Sequence, residues 1–312
     1  GAVRRARRTK NRRVGGCGGC GGSWGAGVVV AEVGERRAER AGVLTLGVEG
    51  MVLIGAGTAF WSVKHLSGPG WVVLLLATLI GGLAALSVSL IHAVLVVGLR
   101  ANQIVSGLAL TIFAGATGLS SYVGNVARLG GQPAKHEFIG LNVFGLQDLP
   151  VAGPILFHQN ALVYASWALV IVVLAYLYRT RTGLHLRAVG ESPETADVMG
   201  VNVARYRYAH TLAGGLLAGV GGAYFSLAIT PNWIDGMTSG AGWIAIALVI
   251  FAFWRPELTL VGAYLFGLFS SLALVLQARQ VPRPPEVFPS PSALTHVLVR
   301  VAVLSGWANQ VR

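Results

Sequence analysis

Charge is what this chain most lacks. Only 12% of its residues are Asp, Glu, Lys or Arg, roughly half the share of about 25% usual in soluble domains. The deficit is concentrated in blocks. No charged side chain occurs from Trp71 to Leu99 or between Arg100 and Arg128, and none from Leu149 to Tyr178, Tyr208 to Ile234, Gly236 to Trp254 or Leu258 to Ala278. Six such windows cannot all be the interior of one small globule. A bilayer core about 30 Å thick, by contrast, asks for about 20 apolar residues per helical crossing. With 54% hydrophobic residues and a mean hydropathy of +0.64, the chain reads as one whose solvent is lipid.

Cysteine and lysine are scarce as well. The two cysteines, Cys17 and Cys20, form a Gly-rich CGGC with neither a second ligand pair nor a strand–helix context, so it reads as low-complexity linker, not as a metal or redox site. The three lysines, Lys10, Lys64 and Lys135, follow Thr9, Val63 and Ala134. No Gly-Lys-Ser/Thr cradle for nucleotide phosphates exists, so any ATP must be bound by another subunit. His136-Glu137 opens an HExxH, but Gly140 stands where the second histidine belongs, and no GxSxG occurs. Neither catalytic residues, nor a metal, nor a cofactor are expected.

The charge that is present is basic. The net charge is +12, and seven of the 24 basic residues lie in the first 13 positions. A nucleic-acid-binding tail is one reading of that run, but no nucleic-acid partner is expected. Beyond residue 40 the basic residues cluster at the ends of apolar runs, as cytoplasmic loops do under the positive-inside rule. Residues 1–33 are Arg-, Gly- and Cys-rich and lack the apolar core of a signal peptide, so they are set apart as a disordered tail. Residues 34–312 are taken as one transmembrane domain. Its apolar runs are Val43–Trp61, Trp71–Leu99, Ala101–Val126, Asn160–Tyr178, Tyr208–Ile229, the 13-residue Gly242–Trp254, Leu258–Leu276 and a weak Ala293–Trp307 containing Arg300. The expected fold is all-α and polytopic, with seven or eight transmembrane or re-entrant helices. The loop 179–207, with five arginines, is placed inside, which puts 127–158 and 230–241 outside.

Polar side chains within apolar runs are costly and mark candidate sites. Glu49, Asn102, Gln103, Ser106 and Thr111 are candidates for lining a translocation path, with helix–helix hydrogen bonding equally open for the last four. Glu49 also admits a buried structural role. Trp233 and Asp235 are candidates for the outer docking of a partner, or for interfacial anchoring. Gly215 and Gly219, in GxxxG spacing beside Gly214, Gly221 and Gly222, indicate close helix packing.

The stretch LHLRAVGESPETADVMGVNVARYRY, Leu184–Tyr208, holds a short capped helix. Ser192 suits the N-cap, Pro193 the first turn, Glu194 the positive end of the dipole, and Gly200 the left-handed stop. Periodicity alone leaves an ordinary surface turn equally open. This stretch, however, resembles the cytoplasmic loop of ABC importer permeases of the branched-chain amino acid, simple-sugar and nucleoside branch. ERAGVLTLGVEGM (Glu39–Met51), LRANQIVSGLAL (Leu99–Leu110) and GMTSGAGWIAIALVIFAFWRPE (Gly236–Glu257) resemble the same family, in its order, most closely its sugar and nucleoside members. The resemblance implies a multi-pass permease of the bacterial inner membrane that moves a small polar solute. Its implied partners are ABC ATPase subunits, a second permease subunit (the same or a paralogue) and an extracytoplasmic solute-binding protein. It makes Arg187, Glu191, Pro193, Glu194, Ala196, Asp197, Met199 and Gly200 candidate contacts of an ATPase-coupling loop. The alternative is an ion-coupled secondary transporter or channel working through Glu49.

Overall fold

The computed structural model describes residues 25–115, 118–131, 133–138, 140–142, 158–252 and 256–278. Eleven helices are described. They are α1 over residues 25–40, α2 Val48–His65, α3 Gly70–Ala93, α4 Gln103–Ala114, α5 Leu119–Val126, α6 Ala161–Arg179, α7 Arg181–Glu191, α8 Pro193–Val198, α9 Val203–Tyr224, α10 Ala241–Phe251 and α11 Pro256–Ala278. A two-stranded antiparallel ribbon, β1 Gly140–Asn142 with β2 His158–Asn160, sets Gly140 opposite Asn160. One π-helical turn extends α3 over Val94–Gly98 and another extends α9 over Phe225–Ile229.

Among the described residues four segments are long and apolar enough to cross a membrane: Gly70–Gly98, Gln103–Val126 (carrying α4 and α5), Ala161–Arg179 and Val203–Ile229. They realise four of the uncharged windows. α10 has only 11 residues, about 16 Å at 1.5 Å per residue, and falls short of a crossing. The described part of the short run Gly242–Trp254 is therefore a half-helix. The weak run Ala293–Trp307 lies outside the described residues.

The core is a close contact among α2, α3 and α9, made possible by glycine. A Cβ at Gly222 would stand 1.9 Å from the carbonyl oxygen of Val52, and one at Gly219 would stand 2.5 Å from Cβ of Ala85. Between apolar helices in lipid the driving force is van der Waals packing, which grows as backbones approach. The Gly215–Gly219 spacing thus serves an intrachain seam against α3.

α1 corrects the tail boundary drawn at residue 33. Its residues 25–33 are buried, and the helix continues without a break through residue 40. Glu32, Glu35 and Arg36 hid it from a hydropathy reading. All three are buried, and Arg36 Nη2 lies 3.7 Å from Glu32 Oε1 one helical turn away. Pairing at i,i+4 lets both charges sit in the packed helix. Residues 1–24 lie outside the described residues.

The two ends of the bundle differ in charge. Arg207 Nε donates to Ala41 O, Gln103 takes the amide of Leu44, and Gly190 abuts Arg40. These contacts gather α1's end, α4's start and the loop 179–207 at one end, with Arg40, Arg100, Arg179, Arg181, Arg187, Arg205 and Arg207. The opposite end carries Lys64, Arg128 and Lys135, joined by Lys64 Nζ to Arg128 O and Lys135 Nζ to Lys64 O. The arginine-rich end is the one that the positive-inside rule assigns to the cytoplasm.

Gly222→Val places branched carbon where the Val52 carbonyl already sits and is expected to destabilise the bundle by about 3 kcal/mol. Thermal unfolding in detergent reads this. Gly130→Ala, where a Cβ meets nothing within 4 Å, is the neutral control.

Candidate functional site

Between α1 and α2 the chain is non-helical over residues 43–45, flanked by turns, and α4 runs beside it. Gly107 and Thr111 lie four and eight residues beyond α4's first residue, about 6 and 12 Å along it. Gly107 abuts Leu46, and Thr111 Oγ1 donates to Leu46 O at 2.8 Å. Irregular backbone at such depth persists only where protein groups replace water as hydrogen-bond partners. Side chains supply them. Gln103 Oε1 accepts from Leu44 N at 2.7 Å and its Nε2 donates to Gly42 O at 3.4 Å. Glu35 Oε1 accepts from Thr45 N at 3.1 Å.

A second discontinuity meets the first at Glu49. The chain turns through Ser239 and Gly240, at φ 48° and 86°, into α10. The buried Glu49 carboxylate caps that helix from 189 to 193 residues away in the chain. Oε1 accepts from the Thr238 hydroxyl and from Gly240 N at 3.1 Å, and Oε2 accepts from Gly242 N at 2.7 Å. A carboxylate at a helix N-terminus satisfies orphan amides and complements the dipole. Gly242 is required here, since a Cβ would lie 2.5 Å from Glu49 N.

The five path candidates are therefore each engaged within the chain. Glu49 caps α10. Asn102 caps α4, its Oδ1 accepting from Ile104 N at 3.0 Å and Val105 N at 3.3 Å. Gln103 and Thr111 tie down residues 42–46, and Ser106 Oγ meets His92 Nδ1 at 3.1 Å. Gln103, Ser106 and Thr111 come together along one side of α4, with Glu49 just beyond them, where Gly50 abuts Ala114. Asn102 stands apart at the helix start. The ion-coupled alternative asks for an available carboxylate, and Glu49 is occupied by three donors.

The loop candidates gather at the arginine-rich end. α8 ends at Val198, and Gly200 just beyond it takes φ 83°, the left-handed stop read from the sequence. Ser192 stands at the N-cap, but its hydroxyl pairs with Thr195 Oγ1 at 2.7 Å and accepts no backbone N–H. Ala196 anchors the helix at 4% exposure, whereas Val198 and Met199 are 87% and 78% exposed. Glu191, Glu194, Asp197 and Gly200 are exposed around them and Pro193 is half-buried. The result is an apolar tip among three carboxylates. Arg187 faces inward, its guanidinium 5.4 Å from the Tyr178 ring.

Sequence reading missed α7, which precedes the short helix and is capped by Thr180 Oγ1 accepting from Gly183 N. Its Leu186 and Val189 are buried three residues apart, a spacing that marks one helix face. Trp233 is also displaced from expectation. It is buried at 4% exposure between Gly57 and Gly124 and thus presents no surface to a partner, while Asp235 is exposed. Among the described residues no group of three His, Cys, Asp or Glu side chains could hold a metal ion.

The family described as branched-chain amino acid transport system, permease component, matches residues 26–304. A putative glucose ABC transporter permease protein of Haloferax volcanii is 41% identical over 263 residues, covering 83% of this chain and 77% of that protein. A nucleoside ABC transporter permease protein of Lactococcus lactis is 39% identical over 270 residues, 83% of this chain and 82% of that protein. A guanosine ABC transporter permease protein of Bacillus subtilis is 33% identical over 265 residues, 80% and 79% of the two chains. No solved structure matches the chain.

Glu49→Ala leaves the Gly240 and Gly242 amides and the Thr238 hydroxyl without their acceptor and is expected to cost about 3 kcal/mol, seen as a lowered unfolding temperature in detergent. Glu49→Gln keeps an accepting oxygen but sets an NH2 against amide donors, so its loss should fall between wild type and Glu49→Ala.

Proposed function

The chain belongs to the branched-chain amino acid transport permease family and is a multi-pass membrane permease of an ABC importer, and on that footing we propose that it moves a simple sugar or a nucleoside, driven by separate ATPase subunits. The names of its relatives support that solute class: glucose, nucleoside and guanosine permeases. A nucleoside carries a sugar, so a hydroxylated ring is the chemistry common to all three. ATP is bound by the partner, since the chain lacks a Gly-Lys-Ser/Thr cradle. The importer works in the cell membrane, which in a bacterium is the inner membrane. Two permease subunits and an extracytoplasmic binding protein complete it.

The observation that carries this reading is the tip of α8. Val198 and Met199 project from the arginine-rich end with Glu191, Glu194 and Asp197 beside them. Exposed apolar side chains rimmed by charge mark a contact surface. The ATPase groove that fits this knob has an apolar floor and a basic rim. Closure of two ATPase subunits around ATP displaces the knob and, through it, the spans on either side.

Replacing residues 191–200 with a Gly/Ser linker is expected to abolish co-purification of the ATPase subunit and ATP-dependent uptake of labelled guanosine or glucose, with the chain still in the membrane. Retained ATPase binding would contradict the assignment of this surface.

A further inference from the structure

A helix of six residues cannot transmit force unless something fixes it to the spans, and α8 itself is mostly exposed. Its neighbour α7 is the better anchored element. Leu186 and Val189 are buried, and Gly190 is pressed against the Arg40 carbonyl, where a Cβ would lie 2.2 Å away. One polar chain leads from α7 into the bundle. His185 Nδ1 lies 3.1 Å from the Tyr206 hydroxyl, at the start of α9. The Tyr206 ring stacks on His210 one turn further, with centroids 5.9 Å apart and planes 6° from parallel. His210 Nδ1 contacts Tyr206 O at 2.8 Å, and its Nε2 meets the Tyr176 hydroxyl of α6 at 3.0 Å. A carbonyl can only accept, so Nδ1 bears the proton, and Nε2 of the neutral ring accepts from Tyr176. Beyond Tyr176 stands Arg37 of α1, its guanidinium 5.1 Å from the ring.

We propose that the His185–Tyr206–His210–Tyr176 chain is the joint that makes α7 and α8 move as one lever with α6, α9 and α1. The proposal rests on the assignment of the α7–α8 end as the ATPase contact. Three features fit a joint. The chain crosses from the surface helix to two spans and a third helix. Each link is directional, a hydrogen bond or a stacked pair, so it resists sliding as apolar packing does not. His210 is buried, so water does not compete for its bonds. These are positioning residues.

The experiment uses the full chain with its ATPase subunits in lipid nanodiscs. Cys17 and Cys20 are replaced by Ser, and nitroxides are set at Ile171→Cys on α6 and Leu79→Cys on α3, both lipid-exposed. The change in inter-label distance on adding ATP and vanadate measures how far nucleotide moves the spans. Tyr206→Phe keeps the stack and deletes only the hydroxyl link, and His185→Leu deletes its partner. Both are expected to retain ATPase subunits and ATP hydrolysis while the nucleotide-driven distance change falls about threefold or more. His185→Asn, whose side-chain amide can still hydrogen-bond the Tyr206 hydroxyl, is expected to recover it. An unaltered distance change in both variants, no change in the wild-type complex, or a loss matched by equal loss of ATPase binding would overturn the joint. A wild-type chain that binds no ATPase subunit would bring down the proposed function and the joint together, so the two failures are distinct.

Discussion

The structure depends on the need to satisfy backbone hydrogen bonds where helices break inside a bilayer. Water is absent there, and an unpaired amide or carbonyl costs several kcal/mol by the order of its transfer energy. The segment 41–47, which runs inward from the arginine-rich end to Leu46 beside Thr111, meets that constraint with side chains drawn from three helices. Arg207 of α9 reaches Ala41 O, Gln103 and Thr111 of α4 serve Gly42, Leu44 and Leu46, and Glu35 of α1 takes Thr45 N. Because the bonds lead to three different helices, the satisfied break is also the point at which those helices are registered to one another. Glu49, just beyond it, extends the same logic to the half-helix α10.

That arrangement gives the permease a central hub with two outlets. Toward the arginine-rich end, Arg40 and Ala41 are gripped by Gly190 of α7 and Arg207 of α9, so displacement of the loop 179–207 bears directly on the hub. Toward the outer side, Glu49 holds the turn 238–242, which leads back through the buried Trp233 to the outer loop. Half-helices that end at membrane depth are where transporters change shape, since a break flexes at less cost than an intact helix. The glycine seam of α2, α3 and α9 supplies the rigid body against which such motion takes place.

Much of this was legible in the sequence. The uncharged windows revealed the spans because hydropathy sums over about 20 residues and tolerates local error. The basic loop 179–207 and the Ser-Pro-Glu start with Gly200 at the stop marked α8 within one residue, because capping is a local property. The four stretches that resemble ABC permeases turn out to touch one another: residues 39–51 meet Gln103 and Gly107 of the second, Gly190 and Arg207 of the third, and Gly240 and Gly242 of the fourth. What stayed hidden was pairing at long range. Glu49 looked like a costly carboxylate in an apolar run, and nothing local says that amides 191 and 193 residues later neutralise that cost. Helix α1 was hidden by the opposite effect, since Glu32 and Arg36 read as surface charge although they pair within one turn. Trp233 has the composition of an interfacial anchor, and only the glycines at 57 and 124 open the slot that buries it.

The account stands or falls on which side of the membrane the exposed tip of α8 occupies. With Cys17 and Cys20 replaced by Ser, Val198→Cys and Lys135→Cys can each be offered a membrane-impermeant maleimide in right-side-out and inverted vesicles. Modification of residue 198 only in inverted vesicles, and of residue 135 only in right-side-out ones, is the predicted result. Labelling of residue 198 from the cell exterior would contradict it, because no ATP-hydrolysing partner could reach the loop from there.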